Sequence, residues 1–411
     1  MAEILSLRSP AEAHALLGAF PPVGTERVAL ADALDRVLAA PFAAPADTPP
    51  FARATMDGYA VRAADLAAAA PDRPARLTVR GAVPMGGALA VTLAAGDAAA
   101  ITTGGVLPQG ADAVVMIEET RPAGAGVVAV LAPSSPWHNV IRPGEDLTRG
   151  ELLIPGGRRL RPQDLGLLAS FGVLAPEVRR QPRVGLLASG DELVPPDRTP
   201  GPGQIRDVNQ TVLAAQVRRA GALPEAGGIV ADDPGALGAA LRDLLGRCDV
   251  VLMSGGSSVG SHDFAATVIA GLGGPGVLFH GINVRPGKPT LCARIGDRAV
   301  IGMPGHPVSS MVIFDVFIRP FLARLGGETP RDPWPARRQA RLAAAVRSAA
   351  GRTEYVRVRL HPPVQDELPL AEPLAGGSAA FGTVVRADGL VEVPEDAATL
   401  AAGTEVEVLL Y

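Results

Sequence analysis

The chemistry-bearing residues of this 411-residue chain cluster around one stretch, Asp249-Val250-Val251-Leu252-Met253-Ser254-Gly255-Gly256-Ser257-Ser258-Val259-Gly260-Ser261-His262-Asp263. It reads as a buried strand that enters a Gly/Ser loop and then a helix from about Phe264. Glycines let backbone N–H groups converge, the helix N-terminus adds positive dipole, and the hydroxyls add donors, so such a loop holds a phosphate without a lysine. Asp263 then stands beside the anion. A carboxylate next to a phosphate needs a cation between them, which points to a Mg²⁺-bridged phosphate. Gly256-x-Ser258-x-Gly260 also fits a hydrolase nucleophile elbow with His280 or His306 as downstream base. A glycine-rich turn without any ligand is the third reading.

Further acids and cations recur in loops that follow apolar runs. They are Ser189-Gly190-Asp191-Glu192-Leu193, Ala231-Asp232-Asp233 and Met303-Pro304-Gly305-His306-Pro307-Val308-Ser309. Asp233 before Pro234 is explained as a helix N-cap, which leaves Asp232 as the functional candidate of the pair. Glu192, Asp232 and Asp263 together offer the oxygen ligands that Mg²⁺ requires. Arg285-Pro286-Gly287-Lys288-Pro289 is a proline-fenced turn suited to fixing two cations near an anionic ligand, or to being a solvated turn. Met56-Asp57-Gly58-Tyr59-Ala60 in isolation signals a turn, and Arg142 with Glu145 and Asp146 a solvated charge cluster.

The elements that must position these residues follow from periodicity. Arg183 to Gly327 alternates strand and helix: Val184 to Ala188, Asn209 to Ala220, Gly228 to Val230, Pro234 to Leu245, Val250 to Met253, Phe264 to Leu272, Ala299 to Gly302, Val308 to Leu325. This predicts a three-layer α/β domain with a parallel sheet, whose ligands bind outside the carboxyl ends of its strands. Ser9-Pro10-Ala11-Glu12 is a capping box opening a short helix, and Leu30, Leu34, Val37 and Leu38 predict a second one. Short apolar segments between Arg76 and Leu131 predict a small β domain, and Pro162 to Phe171 a helix closed by Gly172. Strands at Glu354 to Leu360, Gly382 to Val385, Leu390 to Val393 and Glu405 to Leu410 predict a second β domain. The boundaries are 1–45 with 140–182 for a mixed linker layer, 46–139, 183–327 and 328–411.

Composition narrows the function classes. A net charge of −4 and 4% aromatic residues give neither a basic field nor stacking platforms, against nucleic-acid binding. Cys248 and Cys292 cannot build a disulfide framework or a four-ligand zinc site, consistent with a reducing cytoplasm, so any metal is held by oxygens or by the substrate. The N-terminal residues lack an apolar secretion segment, and the longest apolar run, Val308 to Leu325, is interrupted by Asp315, Arg319 and Pro320, so no membrane span is expected.

Taken in order, Met56 to Ala60, Thr103-Gly104, Arg142 with Gly144-Glu145-Asp146, Ser189 to Leu193, Ser254 to Asp263, Pro286 to Pro289 and Gly302 to Ser309 resemble one family. It is the molybdopterin molybdenumtransferases of the bacterial MoeA type, related to the E domain of gephyrin, and the resemblance spans nearly the whole chain. It implies a four-part subunit that forms a homodimer with a shared site, and a molybdopterin-binding domain at Arg183 to Gly327. It also implies a cytoplasmic enzyme, with a molybdopterin adenylyltransferase upstream. The implied reaction takes adenylylated molybdopterin, Mg²⁺ and molybdate, places molybdenum on the dithiolene and releases AMP. By motif, Asp57, Thr103, Asp146 and Lys288 are the implied catalytic residues. Ser254, Gly255, Gly256, Ser257, Arg285, Pro304 and Ser309 are the implied ligand contacts, and Glu192, Asp232 and Asp263 the implied metal ligands. The chain departs from the family's Gly-Leu-Pro-Gly-Asn-Pro-Val-Ser at Met303 and His306. A gephyrin-like anchoring role and a serine hydrolase using Ser258 are the competing functions.

Overall fold

The structure, a computed structural model, describes residues 7–255, 264–329, 336–349, 351–363 and 367–411. The chain divides into two compact units, residues 1–40 with 156–411, and residues 41–155.

In the larger unit the capping box forms as read: the Ser9 side chain accepts from the Glu12 backbone N–H, the Glu12 carboxylate accepts from the Ser9 N–H, and the helix runs Pro10–Leu17. The expected second helix does not form. Only Leu30–Asp32 turns, as a 3-10 helix, and Asp35 takes φ 61°. The backbone N–H groups of Leu30, Asp35 and Leu38 donate instead to Leu174, Leu160 and Arg158. Partners distant in sequence thus satisfy the groups a helix would have paired internally, and tertiary pairing overrides the apolar spacing. The helix closed by Gly172 does form, as Pro162–Ser170, with Gly172 at φ 72°.

The sheet of the α/β layer has six strands in the order Leu223–Val230, Arg183–Ser189, Val250–Ser254, Arg298–Met303, Leu291–Ile295, Pro275–His280. The first four are mutually parallel, as expected. The last two strands, not expected from the sequence, attach antiparallel, so the sheet is mixed. Alternation along the central strands feeds two cores. Val250 and Leu252 pack with Leu213, Val217, Phe314 and Phe317, while Val251 and Met253 pack with Leu237, Leu241, Leu244 and Ile269. Burying each such side chain contributes roughly 1.5–3 kcal/mol, so helices cover both faces and the strands read as unbroken apolar runs. The helix expected at Val308 to Leu325 runs Pro307–Ile313 and Arg319–Leu325 with a π-helical turn, Phe314–Ile318, between.

The C-terminal strands close on themselves. Thr353–His361 pairs with both Leu370–Pro373 and Gly389–Val393, and Arg337–Leu342 and Glu405–Leu410 complete the ring. Gly382 to Val385, expected as a strand, lies in a helix, Phe381–Arg386. The ring uses Leu370–Pro373 and Arg337–Leu342, so the 382–385 segment has no slot in it. Val284–Arg285 adds to this sheet in parallel with Thr353 and Glu354.

The smaller unit is built on a six-stranded sheet in the order Ala113–Met116, Gly58–Val61, Asp97–Ile101, Ala75–Ala82, Val127–Val130, Thr120–Pro122. Its two apolar clusters, around Leu66 and Val115 and around Ile101 and Val114, cover the sheet. Two short ladders, Phe42–Ala43 with Leu152–Ile154 and Arg53–Ala54 with Val140–Ile141, tie its ends together.

Candidate active site

Register places the loops singled out above at one end of the α/β sheet. Ser189 pairs with Val230, Ala188 with Ser254, and Ser254 with Met303, so Gly190, Ala231, Gly255 and Pro304 all leave the carboxyl ends of neighbouring parallel strands. Leu291 opposes Gly302, which brings the turn before it, with Lys288, to the same end. From Arg183–Ser189 the chain crosses to Leu223–Val230 on one side, while Val250–Ser254 leads toward the other edge. The two adjacent strands therefore flank the topological switch point, where open α/β sheets leave a crevice for ligands.

The geometry at that point is tight. Gly255 takes φ +92°, and a Cβ there would stand 2.0 Å from the Ser189 carbonyl oxygen, so only glycine fits. Ser254 is 2% exposed and its hydroxyl has no hydrogen-bond partner among the described residues. A buried hydroxyl unpaired among the described residues is a candidate donor to a ligand atom. Gly256, Ser257, Ser258 and Asp263 lie outside the described residues.

Asp232 and Glu192 are both exposed at this rim. The Ser189 hydroxyl donates to Asp232 Oδ1 at 2.6 Å, and the Asp232 backbone N–H donates to Asp191 Oδ1 at 3.2 Å. Glu192 folds back over the loop, since a Cβ on Gly190 would lie 2.7 Å from its Oε2. Asp233 is the N-cap expected of it, accepting from the Ala236 backbone N–H at 2.7 Å. No group of three His, Cys, Asp or Glu side chains able to hold a metal is present among the described residues. Among the described residues Asp232 and Glu192 are the candidate carboxylates, and Mg²⁺ commonly takes only one or two from the protein with phosphate and water completing its shell.

Lys288 is exposed, and its carbonyl accepts from the Ile282 N–H at 2.9 Å. Gly287 allows the turn: it has φ +116°, and a Cβ would lie 2.4 Å from Ile313 side-chain carbons. Arg285 points its charge at Glu354, 3.5 Å away, and so faces the C-terminal sheet. Pro304 is buried, and Ser309 is 5% exposed within the Pro307–Ile313 helix. His306, the departure from the family pattern, has its Nδ1 2.7 Å from the Ser378 hydroxyl oxygen. The Val308 N–H donates to the Ser378 carbonyl at 3.3 Å, and Asn209 Nδ2 donates to the Gly305 carbonyl at 2.8 Å. Ser189, Asp191 and Asn209 are not individually marked as functional in the sequence. Their only signal is proximity in sequence to an acid or a strand end.

In the smaller unit, Asp57 and Thr103 come together. Asp57 Oδ1 accepts from the Thr103 backbone N–H at 2.7 Å and from its hydroxyl at 2.9 Å. The backbone donor first and the hydroxyl second hold the Asp57 carboxyl below its ordinary range. Gly58, at the start of the strand, packs where a Cβ would meet the Val115 carbonyl at 1.9 Å. Asp146 is exposed on the 142–146 turn, its N–H donating to Thr48 at 3.1 Å, while Glu145 accepts from the Arg142 N–H at 3.0 Å.

Three family profiles match in order: the MoeA N-terminal region (domain I and II) over residues 8–172, a "probable molybdopterin binding domain" over 185–324, and the MoeA C-terminal region (domain IV) over 339–411. Molybdopterin molybdenumtransferase 2 of Mycobacterium tuberculosis is 34% identical over 385 residues, covering 93% of this chain and 94% of that protein. The molybdopterin molybdenumtransferase of Synechococcus elongatus is 36% identical over 393 residues, covering 94% of each. Two structures of the molybdopterin biosynthesis MoeA protein from Pyrococcus horikoshii align with TM-scores of 0.87 and 0.82 at 35% and 30% identity. They cover 98% and 99% of this chain and 99% and 100% of those chains.

Proposed function

The chain belongs to the MoeA family of molybdopterin molybdenumtransferases, enzymes of molybdenum cofactor biosynthesis, and from that premise we propose that it takes adenylylated molybdopterin and molybdate, uses Mg²⁺, and releases AMP. The observation that carries this reading is the assembly at the switch point. There the Ser254 hydroxyl, unpaired among the described residues, ends the strand next to Ser189, whose hydroxyl anchors the Asp232 carboxylate. An anion-binding loop beside an oxygen-ligand acid is what a phosphoanhydride and its cation require.

In this reading Asp232 and Glu192, with Asp263, would hold Mg²⁺, which would supply charge withdrawal from the phosphoanhydride. Ser254 and the glycine loop hold phosphate, and Lys288 favours the oxyanion molybdate as a point charge. No covalent enzyme intermediate is needed when water or a molybdate oxygen attacks phosphorus. The pterin's own sulfurs take the molybdenum, in keeping with two cysteines that are both buried.

Asp57, Thr103 and Asp146 belong to the 41–155 unit. We place them in the shared site of a homodimer, with the four-part domain division set out above and a molybdopterin adenylyltransferase supplying the substrate. We assign the chain to the cytoplasm. No helix among the described residues is long and apolar enough to cross a membrane.

The test is to incubate the protein with adenylylated molybdopterin, Mg²⁺ and molybdate, and to measure AMP and reconstitution of a molybdoenzyme. Both should appear. Reconstitution without AMP release would refute the adenylylated substrate, and neither product would refute the whole reading, leaving the anchoring role.

A further inference from the structure

Ser189 stands where the acid rim meets the anion loop. It ends the strand beside Val250–Ser254 and is 3% exposed. Two of its polar groups face the two halves of the site. Its hydroxyl donates to Asp232 Oδ1 at 2.6 Å, and its carbonyl oxygen is the atom against which Gly255 packs. The Asp232 backbone is fixed separately, by donation to Asp191 Oδ1 at 3.2 Å, and the neighbouring Gly190 N–H donates to Val230 at 3.3 Å. The Asp191 carboxylate and the Gly190 main chain therefore hold the Asp232 loop without the Ser189 hydroxyl. That hydroxyl decides something narrower, the rotation of one carboxylate.

From this geometry we propose that Ser189 is the positioning residue for Asp232. Its hydroxyl occupies Oδ1 and leaves Oδ2 as the oxygen offered to a divalent cation. It also sets the register of that oxygen against the phosphate held at Gly255. This rests on the reading of Asp232 as a metal ligand. A donor to the non-ligating oxygen of a metal carboxylate restricts its orientation before the metal arrives, and loss of such a group costs about 10–100-fold in metal affinity.

The experiment is titration of the protein with Mn²⁺ alone, followed by the electron paramagnetic resonance signal of the free ion. It compares wild type, Ser189→Ala, Ser189→Thr and Asp232→Asn, with urea unfolding to check that each variant folds. Ser189→Ala should fold normally and bind Mn²⁺ about 10–100-fold more weakly, while Ser189→Thr, which keeps the hydroxyl, should recover most of that loss. In turnover the Ala variant should need correspondingly more Mg²⁺ yet approach wild-type kcat when Mg²⁺ is saturating. Wild-type Mn²⁺ affinity in Ser189→Ala, with Asp232→Asn impaired, would overturn the role of Ser189 alone. Unchanged affinity in Asp232→Asn, or no Mn²⁺ binding by the wild type, would overturn the metal reading of Asp232 on which it rests. A threonine variant as weak as the alanine variant also counts against the hydroxyl.

Discussion

At the scale of single residues, charge and burial make separate predictions. Lys288 is an exposed cation on a turn that Gly287 locks against Ile313. Lys288→Ala should raise the molybdate concentration needed for half-maximal turnover by roughly tenfold, as loss of a charge-assisted contact worth about 1.5 kcal/mol implies, while binding of the pterin nucleotide changes little. Titrating each ligand separately decides this, and an equal loss for both would move Lys288 to the phosphate. Asp315 is a different case. Burial pushes its carboxyl up to about 6, against the opposing pull of Arg319. Between about pH 4 and pH 6 the folded chain keeps a proton that the unfolded chain has released, so stability from this group is complete below that window and is lost as pH rises through it. Asp315→Asn should therefore raise Tm at pH 7.5, by an amount corresponding to at most about 3 kcal/mol, and leave it nearly unchanged at pH 4; thermal melts at the two values test it. That Glu192 and Asp232 would sit at the carboxyl end of the sheet was legible in the sequence, because each lies next to a short apolar run that reads as a strand. Ser189 was not, because a serine's value there lies in a partner 43 positions away.

At the scale of elements, the sheet was legible wherever apolar runs are continuous, and poorly legible wherever pairing partners are distant. Val250 to Met253 announced itself as a buried strand. Leu30 to Leu38 instead mimicked a helix, since nothing local reveals that Leu160 and Arg158 will take its hydrogen bonds. The antiparallel strands Pro275–His280 and Leu291–Ile295 were missed because glycines and prolines break up the sequence around them. Two element-level predictions follow from close contacts. Gly255→Ala drives a Cβ onto the Ser189 carbonyl and demands φ +92° of a non-glycine residue. It should cost about 1–3 kcal/mol in urea unfolding and abolish turnover, and wild-type stability would contradict the packing. The His306–Ser378 contact joins the loop after Arg298–Met303 to the segment before Phe381–Arg386. In a double-mutant cycle His306→Ala and Ser378→Ala should be coupled by about 0.5–3 kcal/mol in unfolding free energy, and strict additivity would mean that the contact contributes nothing.

At the scale of the whole molecule, the family motifs are distributed over both compact units, with Asp57 and Thr103 in one and Asp232 and Lys288 in the other. If the site is shared in a homodimer, mixing inactive Asp57→Ala and Asp232→Ala chains under subunit exchange should give heterodimers with one doubly lesioned and one intact site, and part of the activity returns. No recovery in verified heterodimers would place the site within a single chain. We propose that molybdate insertion and cleavage of the nucleotide are one Mg²⁺-dependent event at the switch point of the α/β sheet. The most direct measurement is a single-turnover time course of AMP release from adenylylated molybdopterin, with Mg²⁺ and molybdate each present or omitted, in wild type and Asp232→Asn. Rapid release should require both additions in the wild type and be slowed by at least about tenfold in the variant, the lower range for removing a metal-site group. Release at the full rate without Mg²⁺, or undiminished in Asp232→Asn, would contradict it.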